Sequence, residues 1–199
     1  MKIAAACLFA LVFASAAMAS GVHVQLQDDA GHPVSDAVVF LESPEAARLV
    51  KPLVGAQVAQ EHKQFVPQVS VVTRGTEVSF PNHDKVRHQV YSFSPAKKFE
   101  LKLYAGTPAN PVLFDQTGVV VLGCNIHDSM VGWVLVVDTP YFGSSRAGEV
   151  RLDNVPPGTY HLRTWHAGLP VGAPALDQAL VVPAEGVAQA AVRLSGLTP

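Results

Sequence analysis

Between residues 65 and 137 the chain is cut into short β-forming runs by turn residues, and no stretch keeps a helical period. Residues 65–72 form one run, closed by the turn Arg74-Gly75-Thr76, and residues 77–80 a second that stops at Pro81-Asn82. After a polar loop at 83–87, residues 88–93 alternate apolar and polar. In 99–104, Phe99, Leu101 and Leu103 fall on one face, with Glu100 and Lys102 on the other. Residues 112–114, 118–122 and 132–137 complete the series. Runs of this length and spacing predict an all-β, antiparallel sandwich.

The flanks are written in the same style. Residues 22–27 and 37–41, joined by turn chemistry at 28–33, are expected to form a hairpin. Residues 43–56 carry no clear period and are read as a bridge, with a short helix at 44–49. Strands are expected at 149–152, at 159–165 beyond the turn Pro156-Pro157-Gly158, at 175–183 and at 187–194. There is no fixed-period repeat.

One loop breaks the pattern. The Val-rich run 118–122 passes straight into Gly123-Cys124-Asn125-Ile126-His127-Asp128-Ser129-Met130. The N-terminus, Lys2 followed by the apolar run 3–17 and Ala17-Met18-Ala19, is read as a secretory signal cut after Ala19. Cys7 and Met18 would leave with it, so Cys124 and Met130 become the single cysteine and single methionine of the mature chain. A lone cysteine in an oxidising compartment has no internal disulfide partner; it is protected, or it does chemistry. Thiolate, imidazole and thioether are the donors that copper selects, and Cys-x2-His-x2-Met presents all three from one turn.

A trigonal copper site also needs a second imidazole. His88 is the first candidate, because it begins a strand after the Pro81-Asn82 loop, and His83 is the fallback; His23, His32, His62, His161 and His166 lie outside the segment or in its lead-in. Taken singly, Cys124 reads as a buried thiol, Met130 as core filling and His88 as a surface strand residue. Their joint spacing reverses that. Asp128 is read as a solvated acid, Trp165 as core, His166 as exposed, and Lys85, Arg87, Lys97 and Lys98 as solvated surface.

Composition excludes other classes. The formal net charge is −2, with no basic stripe for nucleic acid. No later stretch is apolar and long enough to span a membrane in the mature chain. No Ser-His-Asp or paired-carboxylate arrangement stands out, and a saturated copper site offers no open position, so no enzyme is expected.

Residues 64–137 resemble the cupredoxins, the blue-copper electron carriers. The Cys124-x2-His127-x2-Met130 spacing is similar to that of amicyanin. Phe65-x-Pro67-x-Val69-x-Val71 and Val78-x-Phe80-x-Asn82 also resemble the family. The resemblance implies one type-1 copper, with Cys124 as thiolate, His88 and His127 as equatorial imidazoles and Met130 as axial thioether. Family members often carry an Asn after the first His, tying the two ligand loops together. Gln89 stands there, so the tie is expected to differ or to fall to Asn82.

The flanks resemble something else. Val24-x-Leu26-x-Asp28-x2-Gly31-x-Pro33-Val34 and Gly148-x-Val150-x-Leu152-x-Asn154-Val155-Pro156-Pro157-Gly158-x-Tyr160 are similar to carboxypeptidase regulatory-like domains, which are transthyretin-like sandwiches. The whole chain also resembles the periplasmic proteins labelled methylamine utilization proteins. Together these imply a signal peptide (1–19), a Greek-key cupredoxin domain (55–142), and a second β-sandwich (20–54 and 143–199) in which the cupredoxin is inserted or on which it packs.

The expected function is a periplasmic one-electron carrier serving a redox protein such as a dehydrogenase or cytochrome c, docked near the ring edge of His127 with Val131 and Pro81. Two alternatives stand beside it: a protein that holds and delivers Cu(I) without redox turnover, and a metal-free interaction module.

Overall fold

A computed structural model describes residues 20–198; the expected signal segment lies outside the described residues. The chain begins with β1 (Gly21–Gln27), β2 (Val38–Glu42) and the short helix α1 (Pro44–Arg48). Ser43 caps the helix by accepting the Ala46 N–H at 3.1 Å, and Pro44 takes the first turn, where its missing N–H costs nothing. The middle of the chain supplies β3 (Ala56–Gln57), β4 (Ala59–Glu61), β5 (Gln64–Val66), β6 (Val69–Thr73), β7 (Thr76–Ser79), β8 (His88–Ser94) and β9 (Lys97–Tyr104). It ends with β10 (Val112–Phe114), β11 (Gly118–Gly123) and β12 (Val131–Val137). The last part holds β13 (Phe142–Ser144), β14 (Glu149–Asp153), β15 (Gly158–Trp165), β16 (Leu176–Val182) and β17 (Val187–Arg193).

The strands build an all-β structure around two principal cores. A five-stranded sheet, β6-β12-β11-β8-β9, faces the three-stranded sheet β10-β7-β3. Phe65, Phe80, Val90, Phe114, Leu122, Val134 and Val136 pack together there, and Cys124 and Met130 lie in the same cluster. The buried residues of this core all come from residues 58–136. The sheets β14-β1-β17 and β13-β2-β15-β16 enclose the other core. There Val24, Leu26, Val39, Leu41, Leu152 and Leu162 meet, drawn from the two ends of the chain.

A third cluster joins the two. In β2, Val39 and Leu41 point into the terminal core, while Val38 and Phe40 meet Leu135 and Val137 of β12 and Trp165 of β15. In β12, Val134 and Val136 face the central core and Trp133, Leu135 and Val137 face outward onto that junction. Both strands are therefore covered on both faces, and both read as continuous apolar runs instead of alternating ones.

Four expectations are corrected. First, β1 and β2 are not a hairpin: β1 pairs with β14 and β17, and β2 with β13 and β15. Their inward residues oppose each other across the terminal core, so the 28–37 connection crosses from sheet to sheet. Second, the sheets are mixed, since β1/β17, β6/β12 and β3/β7 run parallel. Third, the 65–72 run is two strands, because Pro67 lacks the N–H a ladder needs. Fourth, Leu103 is exposed. Between the pairs His88↔Tyr104 and Val90↔Leu101, β9 carries an extra residue against β8, and this bulge turns Tyr104 inward in its place.

Candidate metal centre

β8 and the 124–130 loop meet at one end of the central sandwich. Gly123, the last residue of β11, pairs with Tyr91 of β8, which brings the start of β8 beside Cys124. His88 is fully buried there, its Nδ1 3.8 Å from Cys124 Sγ. The rings of His88 and His127 stand 5.1 Å apart between centroids, tilted by 56°. One donor atom from each of His88, Cys124 and His127 lies within 4.8 Å of the others. Met130 is buried in the same core as Cys124, and its N–H donates to the His127 carbonyl at 2.9 Å, closing the loop into a turn. Three of the candidate donors, His88, Cys124 and His127, are thus brought together, with Met130 buried in the adjoining core. His83 is not among them: it is exposed and bonded through Nδ1 to Glu61 at 2.7 Å.

One atom in this cluster lacks a partner. His127 Nδ1 is buried with no hydrogen bond. Such an orphan polar atom is costly unless something else satisfies it. A cation held between two imidazoles and a thiolate does so, and the donor types, soft sulfur with borderline nitrogen, fit copper.

Asp84 is not singled out in the sequence and enters the site through the fold. Its Oδ2 bonds His88 Nε2 at 2.8 Å, and its carboxylate also accepts the N–H groups of His62 at 2.8 Å and Lys63 at 2.9 Å. Burial alone would raise its pKa; the hydrogen bonds from Lys63, His88 and His62 outweigh that and hold it below the ordinary carboxylate value.

Asn82 and Gln89 have separate duties. Asn82, buried, braces its own loop: Nδ2 donates to the carbonyls of Val86 at 2.9 Å and Tyr104 at 3.1 Å, and Oδ1 accepts the Asp84 N–H. Gln89, on β8, makes the link to the 124–130 loop, accepting from Asn125 Nδ2 at 2.9 Å. Asp128 is exposed beside the loop and Lys97 pairs with Asp115 at 3.1 Å. Trp165 is core; His166 is half-buried instead of exposed, accepting the Gly168 N–H at 2.9 Å, and burial lowers its pKa.

One of the two expected docking neighbours is corrected. Pro81 is buried, and Val131 lines an apolar groove of about 690 Å³ on the opposite face of β12, beside Trp133 and Trp165. The exposed large apolar side chains on the loop leading into β8 and on the 124–130 loop are Val86 and Ile126.

No protein-family model and no curated protein matches the chain. Among solved structures it is similar to a purple cupredoxin from Nitrosopumilus maritimus, at 23% identity and TM-score 0.37, over 41% of this chain and 99% of that one. A reduced amicyanin variant matches at 25% identity and TM-score 0.38, over 51% of this chain and 99% of its own. A copper-containing nitrite reductase from Thermus scotoductus SA-01 matches at 23% identity and TM-score 0.39, over 46% of this chain and 26% of that one.

Proposed function

We propose that the protein is a periplasmic one-electron carrier with a single type-1 copper that His88, Cys124 and His127 would hold, with Met130 supplying a thioether. The observation that carries this reading is the convergence of two imidazoles and a thiolate within 4.8 Å, one imidazole nitrogen being buried with no partner. When bound, copper supplies a couple that gains and loses one electron.

The protein's part is to keep the donors still. His88 is carried by a strand, and its ring is held at Nε2 by a carboxylate. Cys124 and Met130 are buried, which excludes water from the sulfur donors. His127 is the one donor of the four that is half-exposed. A partner such as a dehydrogenase or cytochrome c would dock there, against Val86 and Ile126 on the two loops.

Addition of Cu(II) to protein expressed in the periplasm should give an intense visible thiolate-to-copper band, lost in Cys124→Ser. A colourless Cu(II) complex overturns the proposal. A coloured protein that yields Cu(I) readily to a competing chelator and shows no reversible reduction at an electrode would instead be a delivery protein.

A further inference from the structure

We propose that Asp84 is a positioning residue that fixes the His88 ring as a ready donor, and that the turn between β4 and β5 holds Asp84 in place for this purpose. The inference rests on the metal reading above and extends it to residues that touch none of the donors except His88.

A carboxylate only accepts hydrogen bonds, so at 2.8 Å from Asp84 Oδ2 the His88 Nε2 carries the ring proton. The lone pair then sits on Nδ1, the nitrogen that faces Cys124 Sγ at 3.8 Å. The other tautomer would aim a proton into the cluster. The contact thus does two things at once: it sets the angle of the ring and it chooses which nitrogen can bind.

The support behind Asp84 is costly to build. β4 and β5 are joined by His62 and Lys63, which have φ of 52° and 61°. Two consecutive non-glycine residues in the left-handed region are each strained. What the strain achieves is directional: the two N–H groups point at the Asp84 carboxylate, at 2.8 and 2.9 Å. The Asp84 N–H is in turn held by Asn82 Oδ1 at 3.0 Å. Together these bonds hold the carboxylate against the imidazole. A turn whose only task was to reverse the chain would place Gly or Asn at these positions.

The test reads the ring directly. Nitrogen NMR of the metal-free protein should show His88 with its proton on Nε2. Asp84→Asn keeps the shape but sets an amide NH2 among N–H donors, and should populate the Nδ1-protonated form. By competition with a Cu(I) chelator, the same variant should bind Cu(I) about 10–100-fold more weakly. If Asp84→Asn fails to fold, the change is repeated in a His62→Gly, Lys63→Gly background, where glycine removes the strain of the turn. Wild-type His88 protonated on Nδ1, or a folded variant with unchanged tautomer and affinity, overturns the proposal. The tautomer is read without metal. A wild-type protein that binds no copper therefore sinks the function proposed above, while the position of the His88 proton still decides for or against the role of Asp84.

Discussion

Gln89 of β8 and Asn125 of the 124–130 loop are joined by one side-chain hydrogen bond, Asn125 Nδ2 to Gln89 Oε1 at 2.9 Å, at the surface of the site. Each residue follows a candidate donor in sequence, Gln89 after His88 and Asn125 after Cys124. Gln89 is itself anchored, donating to Glu100 on β9 at 2.6 Å. The chain of bonds therefore runs from strand to strand to loop, and it holds the 124–130 turn against β8.

Asn125→Ala cuts that chain at its last link. The bond is exposed, so global stability should fall by no more than about 0.5–1.5 kcal/mol. The loop should become looser all the same, and bound metal should leave faster. Stopped-flow release of metal to a chelator, set beside a urea melt, checks this; equal release rates from variant and wild type would show that the link does not hold the loop.

Gly132 is a packing requirement at the back of the site. It lies on β12 opposite Leu122, and a Cβ there would come within 2.9 Å of Phe65 Cβ and 3.0 Å of its ring. Phe65 is fully buried and anchored on β5, so it cannot swing away. Gly132→Ala should cost about 1–3 kcal/mol by overpacking. Urea unfolding reads the loss, and a Gly132→Ala variant as stable as wild type would contradict the contact.

The strands were legible where local chemistry decides them. Val, Phe and Tyr runs between Gly and Pro turns marked most of the strands, and the short helix read at 44–49 falls where α1 lies. Pairing was not legible. The β1–β2 hairpin failed because partners were chosen by burial across the core, from strands more than a hundred positions away in the case of β1. Leu103 failed because a bulge resets the alternation, and no composition signal marks a bulge of this kind. His88, Cys124, His127 and Met130 could be singled out because their residue types are rare and their spacing is tight. Asp84 could not: an acid in a polar loop reads as solvated until the fold brings the His62–Lys63 turn onto it. The one available hint was its position four residues before His88.

Trp133 and Trp165 tie the two cores together, with ring centroids 6.3 Å apart and an angle of 55° between planes. Trp165 is buried, so Trp165→Ala should cost about 3–5 kcal/mol. A double-mutant cycle with Trp133→Ala should return a coupling of about 0.5–1.5 kcal/mol beyond burial, as expected of an aromatic pair. Strictly additive losses would mean that the rings touch without stabilising one another.

Tyr104, turned inward by the bulge, gives the protein a defined response to alkali. Its Oη donates to the Phe80 carbonyl at 2.7 Å and also meets Gln60. Burial pushes its pKa from 10.0 to about 12; the Gln60 hydrogen bond works against this and the Cys124 charge adds to it. Below pH 10.0 both folded and unfolded chains keep the phenolic proton, and the group adds no pH dependence. From there to about 12 the unfolded chain releases the proton while the folded chain retains it, so stability falls as pH rises through that window. Tyr104→Phe loses a hydrogen bond and should be about 0.5–1.5 kcal/mol less stable near neutrality. It also loses the titration, so its stability should decline less steeply in alkali and the gap to wild type should narrow. Urea unfolding at a series of pH values reads both slopes, and parallel curves would place the shifted titration elsewhere.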